Sequence, residues 1–173
     1  MAISTLVATA KASNANTYAT RAEANQYHED RPAVGTTWAG ASNDQKDQAL
    51  LWATKLMESL FDWNGYASTT TQALGWPRMG LLERIDVSLD SDTVPDEVKN
   101  AQAEYARQLL VSNLAQDSDT ESESIKSIQA GSIAVEFDTE AVYNKIVPDA
   151  VYLQIPQDWF VSVRGRLTGT RML

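Results

Sequence analysis

The stretch Ala49-Leu50-Leu51-Trp52-Ala53-Thr54-Lys55-Leu56-Met57-Glu58-Ser59-Leu60-Phe61-Asp62-Trp63 decides how this chain folds. On a helical wheel at about 100° per residue, Ala49, Leu50, Trp52, Ala53, Leu56, Met57, Leu60, Phe61 and Trp63 fill about half the circumference. A helix on the surface of a small bundle shows a narrower stripe, so this one is expected at the centre, covered from more than one side. It is expected to run to Trp63 and to end at Asn64-Gly65, because glycine takes the left-handed C-terminal conformation without steric cost. Leu51 is the exception. It falls in the polar arc between Glu58 and Asp62, where it reads either as a single exposed leucine or as a subunit contact. Beyond the turn, the chain loops to Leu74-Gly75-Trp76-Pro77-Arg78. Trp52, Trp63, Trp76 and Pro77 are read as structural anchors, with Gly75-Trp76-Pro77 pinning this loop to the helical core, and each tryptophan can bury roughly 150–250 Å².

On the N-terminal side, Ser42-Asn43-Asp44-Gln45 has capping-box spacing and opens the central helix, with Asp44 and Asp47 suiting the positive end of its dipole. Thr20-Arg21-Ala22-Glu23 has the same spacing and opens a first helix to about Arg31, stopped by Pro32. Ala24, Tyr27 and His28 share one face of it, and His28, the chain's one histidine, reads as a packed side chain. Residues 1–16 are small and polar around Leu6-Val7 and read as an N-terminal arm. On the C-terminal side, Glu83 to Glu97 carries six acids and one base. Asp90-Ser91-Asp92 lacks the central glycine and terminal glutamate of a calcium loop, so the stretch reads as a solvated acidic loop.

Pro95 starts the next helix, expected to about Ala115. Val98, Ala101, Tyr105 and Leu109 lie on one face, and Ala103, Ala106, Leu110 and Leu114 on another, enough to pack on the central helix and still offer a surface elsewhere. Residues 116–124 form an acidic linker. Ile125 to Phe137 alternates around Ala130-Gly131 as a β-hairpin does, and a short helix or turn stops at Pro156. Trp159, Phe160, Arg164, Arg166 and Arg171 combine aromatics with arginines and have little to fold against locally, so residues 159–173 read as an arm made for another protein. The fold expected is mainly α: a helical-bundle core over 17–115, the linker, a hairpin and short helix over 125–158, and extended N- and C-terminal arms.

The chain has 173 residues, one domain by size, and 23 acids against 14 bases for a net charge of −9. That sign argues against a broad phosphate-binding surface, because nucleic-acid affinity comes mainly from Lys and Arg displacing counterions. Subtracting Arg164, Arg166 and Arg171 leaves residues 1–163 at −12. There is no cysteine, a single histidine, no glycine-rich phosphate loop, no nucleophile elbow and no His/carboxylate metal set. A non-enzymatic protein without metal or cofactor is expected. No apolar run approaches the 18 or so residues of a membrane span, and the N-terminus lacks the basic and apolar regions of a secretory signal, so a soluble protein that stays where it is made is expected.

Several short motifs recur in a familiar order. They are Thr17-Tyr18, Ala22-Glu23-Ala24-Asn25 with Tyr27, Ala49-Leu50, Ala53-Thr54, Trp63-Asn64-Gly65, Gln72-Ala73-Leu74 before Gly75-Trp76-Pro77-Arg78, Pro95 to Ala101, and Ile125-Lys126 before Gly131. Through them, residues 17–137 resemble the head–tail connector (adaptor) proteins of tailed bacteriophages, a branch of which is often labelled DnaT-like single-stranded-DNA-binding. The resemblance implies a structural protein of the virion neck, assembled in the host cytoplasm as a homo-oligomeric, dodecameric ring beneath the portal. Such a ring extends the DNA channel, lets packaged duplex pass without specific binding, and offers a platform to tail or stopper proteins. On that reading, Trp159, Phe160, Arg164, Arg166, Arg171 and Leu51 would face the portal or a neighbouring subunit. The competing reading is a single-stranded-DNA-binding replication accessory protein, which calls for a basic groove with exposed stacking aromatics.

Overall fold

Two capping boxes set the frame of the computed structural model, which describes residues 3–31, 36–84, 87–112, 127–130, 133–136 and 146–163. Thr20 caps α1 (Arg21–Glu29) and Ser42 caps α3 (Asn43–Leu60). Each hydroxyl accepts from the N3 backbone N–H, while Glu23 or Gln45 accepts the cap residue's own N–H. Between them lies the short α2 (Thr36–Gly40), and α4 (Asp96–Val111) follows with Pro95 as its N-cap. α3 and α4 form the main helix pair, and α1 packs against both. They run antiparallel: Gln102 of α4 meets Leu50 and Thr54 of α3, while Leu109 and Leu110 reach back towards Gln45. Five helices and four two-stranded antiparallel sheets are present among the described residues, so the fold is mainly α.

α3 stops three residues earlier than its apolar arc predicts. Phe61 is extended (φ −89°, ψ 127°), and Phe61–Trp63 continues as β1, paired antiparallel with β8 (Phe160–Val163). The reason lies in the aromatics. Residues two apart share a face on a strand but not on a helix, and the Phe61 and Trp63 rings stack in parallel with centroids 4.8 Å apart. Gly65 does adopt a left-handed conformation (φ 71°), but it serves the turn into β2 (Tyr66–Ala67), not a helix end. A Cβ there would lie 2.4 Å from the Met79 carbonyl oxygen.

β2 pairs with β3 (Arg78–Met79), and β4 (Leu82–Arg84) with β5 (Val87–Ser88), so the long connection after Gly65 is built from two small strand pairs. β6 (Ser127–Ala130) and β7 (Ile133–Glu136) pair in register from Ser127↔Glu136 to Ala130↔Ile133, the hairpin that the alternation predicts. After α5 (Asp149–Tyr152), a 3₁₀ turn (Gln157–Trp159) leads into β8.

One core joins these parts. Leu50, Ala53 and Met57 of α3 meet Val98, Ala101 and Tyr105 of α4, and Val147, Val151, Ile155 and Trp159 belong to the same cluster. The Tyr105 hydroxyl donates to the Ile146 carbonyl at 2.7 Å. The N-terminal segment also packs down. Leu6 and Ala10 lie against the core, Val7 N–H donates to Asn16 Oδ1 at 2.8 Å, and Ala73 N–H donates to the Ala12 carbonyl at 3.1 Å. No described helix is long and apolar enough to cross a membrane.

Candidate assembly surface

The Gly-Trp-Pro-Arg loop is held from three directions. Trp76 is buried, edge-on to Trp63 (5.5 Å) and tilted against Trp159 (5.2 Å), and Pro77 is buried beside it after a cis peptide bond. Arg78 collects the backbone around it. Its Nε donates to the Asn64 carbonyl at 2.6 Å, Nη1 to Gly75 at 2.9 Å and Nη2 to Gly65 at 2.9 Å. Glu58 of α3 accepts the Gly75 N–H at 3.0 Å and the Tyr18 hydroxyl. Burial pushes the Glu58 carboxyl above its ordinary pKa, against the hydrogen bonds that favour its charge. Gly75 is needed for close approach, since a Cβ there would lie 3.0 Å from Trp63 Cδ1 and 3.1 Å from Glu58 Oε1.

Two further polar centres sit inside the helical layer. Gln102 is fully buried. Its Oε1 accepts Tyr18 N–H at 3.1 Å and Ala19 N–H at 2.7 Å, and its Nε2 faces Thr17 Oγ1, Thr54 Oγ1 and the Leu50 carbonyl at 2.6, 2.7 and 3.0 Å. Glu104, also fully buried, is bracketed by Arg31, Arg107 and Gln108. Burial alone would raise its pKa, but these donors outweigh burial and hold it below the usual carboxylate range. His28 is packed between Tyr27 and Trp38, with Nε2 3.1 Å from the Ala103 carbonyl. Burial lowers its pKa to about 4, although that hydrogen bond opposes the shift. Gln102 and Glu104 are not among the residues that sequence patterning singles out, and Arg78 enters there only as the last residue of the Trp-Pro-Arg motif.

The expected interface residues fall in different places. Trp159 is 1 % exposed and its Nε1 donates to the Leu82 carbonyl at 2.9 Å, so it belongs to the subunit's own core and is not a docking residue. Phe160 is half-buried, edge-on to Phe61 at 5.4 Å, and β8 belongs to the fold through Val163. The expectation that the arm begins at residue 159 fails because residues 159–163 find their partner far upstream, in β1. Arg164, Arg166 and Arg171 lie outside the described residues. Leu51 is half-buried on α3.

Trp52 corrects a second expectation. It is 42 % exposed, with the Lys55 ammonium 5.2 Å from its ring centroid, because the apolar arc of α3 is wider than the surface that its neighbours cover. Beside it, Gln45, Gln48, Ala49, Leu109 and Leu110 line a shallow groove of about 340 Å³ between α3 and α4. Other exposed apolar side chains include Tyr66 and Met79, opposite each other across β2 and β3, Leu82 and Val87 of β4 and β5, and Val111, Ile146, Leu153 and Val161. Among the described residues, no three His, Cys, Asp or Glu converge to hold a metal ion.

No curated protein and no solved structure matches this chain. Residues 5–157 match the family model described as "Putative DnaT-like ssDNA binding protein", which spans the helical layer, the Gly-Trp-Pro-Arg loop, the hairpin and the turn before Trp159, and the chain belongs to that family.

Proposed function

We propose that this protein is a head-to-tail adaptor of a tailed bacteriophage. It would be a non-enzymatic subunit of a ring, a dodecamer by the resemblance, that sits below the portal in the virion neck and carries the tail or stopper proteins. The observation that carries this reading is the character of the surface. Tyr66, Val111, Leu153 and Val161 stand more than 60 % exposed on a chain of net charge −9, a combination suited to protein contacts and poorly suited to holding phosphates. An acidic channel wall would repel duplex phosphates and let DNA slide. The proposal is tested by the native mass of the purified protein, alone and mixed with portal. Multi-copy assembly and a portal complex are expected; a monomer that ignores portal counts against it.

A second reading is single-stranded-DNA binding in replication. The family's description favours it, and so does Trp52, a half-exposed indole with a lysine over its ring, which is the pairing that stacks and neutralises a nucleotide. Micromolar binding to an oligonucleotide, with log affinity falling steeply against log salt and lost in Trp52→Ala, would establish that reading instead.

A further inference from the structure

We infer that Asn64 is a site of spontaneous deamidation, which the C-terminal strand β8 holds in check and whose product loosens that strand. The inference stands whichever partner the surface meets. Asn64 is the chain's one asparagine followed by glycine. A glycine leaves its own amide nitrogen unshielded by a side chain, so that nitrogen can attack the carboxamide before it. The Gly65 nitrogen bonds to Asn64 Cγ and gives up its proton, ammonia leaves, and a cyclic succinimide forms. Water then opens the ring at either carbonyl, leaving aspartate or, with the main chain rerouted through the side chain, isoaspartate. The fold cannot replace the glycine. Gly65 stands at φ 71°, and a Cβ there would lie 2.4 Å from the Met79 carbonyl oxygen. Both residues are half-buried at the surface, where water reaches them.

The folded chain holds the reacting groups still. Asn64 Nδ2 donates to the Asp158 carbonyl at 2.8 Å, and the Asn64 N–H donates to the Trp159 carbonyl at 2.9 Å, both at the entry to β8. The Asn64 carbonyl accepts Arg78 Nε at 2.6 Å, and the Gly65 carbonyl accepts Nη2 at 2.9 Å. Ring closure turns the carboxamide away from Asp158 and rotates the peptide group that Arg78 grips, so these bonds open first. Two of them end on residues 158 and 159, and β8 is the last described element, in a two-stranded sheet with β1. Lifting it is a local opening, which costs less than global unfolding. The product then works against the same contact. Aspartate brings acceptors where the carboxamide brought a donor, so its oxygen meets the Asp158 carbonyl with no proton between them. Isoaspartate adds a main-chain carbon between residues 64 and 65 and pushes Gly65 off its close approach to Met79. Either product weakens the attachment of residues 158–163 to the end of β1.

The test ages the full chain at mildly alkaline pH, in native buffer and in denaturant, and follows conversion at Asn64 by peptide mapping with mass spectrometry. In denaturant Asn64 should convert ahead of every other asparagine, and in native buffer at least about tenfold more slowly. Phe160→Ala removes a ring that holds β8 against Phe61 without touching residue 64, so it should speed native conversion severalfold. Val98→Ala, which loosens the core between α3 and α4 instead, should leave the native rate unchanged. Chain converted in denaturant, refolded and separated by its added negative charge, should exchange the Phe160–Val163 amide hydrogens faster than the parent. Asn64→Asp, made directly, should do the same and guards against damage elsewhere during ageing. An Asn64 that outlasts the other asparagines in denaturant, or converts equally fast in native buffer, would overturn the inference. Equal acceleration by Phe160→Ala and Val98→Ala would overturn it too, because the opening would then be global. So would a converted chain whose β8 amides exchange as the parent's do.

Discussion

Gln102 lies on the same face of α4 as Val98, Tyr105 and Ala106, yet it spends its amide on the Thr17–Ala19 segment and on α3. Gln102→Leu keeps the volume but strands the Tyr18 and Ala19 N–H groups in the core, so a loss of about 3 kcal/mol is expected in urea denaturation; a loss below about 1 kcal/mol would contradict the role. His28 makes the pH prediction. Its pKa falls from 6.5 to about 4 on folding, so the unfolded chain binds the extra proton, and stability is full above about pH 6.5 and drains away as pH falls towards 4. At about 1.4 kcal/mol per pKa unit this amounts to roughly 3 kcal/mol. His28→Gln should flatten the stability curve in that window, while the slope below about pH 4.5, where Glu104 loses its arginine pairing, should remain. The packed character of His28 is legible in sequence, because it shares a face with Ala24 and Tyr27. The role of Arg78 is not: the reach of its guanidinium to three carbonyls depends on how Asn64, Gly65 and Gly75 converge, and no local pattern records that convergence.

Among elements, the helix starts were legible and the end of α3 was not. Thr20 and Ser42 cap by side-chain chemistry written within four residues, whereas the switch at Phe61 depends on a strand a hundred residues downstream. The same long-range pairing explains Trp159. Its local neighbours offer no core, but Trp76, β1 and the Leu82 carbonyl do. Trp76→Ala and Trp159→Ala should each cost about 3–5 kcal/mol, measured by thermal or chemical unfolding. Truncation separates fold from arm more sharply. A chain ending before Trp159 should lose its cooperative transition, and one ending after Val163 should keep it; equal stability of the two would show that β8 contributes nothing to the fold.

At the scale of the whole molecule, the mainly helical class follows from apolar periodicity, and the low count of bases sets the electrostatic character. The distribution of exposed apolar side chains was not legible. Trp52 sits inside the apolar arc of its helix and yet faces solvent, because α4 covers one part of that arc and leaves a groove beside it. A net charge of −9 predicts no measurable affinity for single- or double-stranded DNA at physiological salt, read by fluorescence anisotropy. The central claim is that these surfaces meet proteins, and native mass spectrometry of the purified chain mixed with portal and with an oligonucleotide tests it most directly. A multi-copy assembly that adds to portal and leaves the oligonucleotide free is the expected result. A 19.0 kDa monomer that ignores portal and carries the oligonucleotide would contradict it.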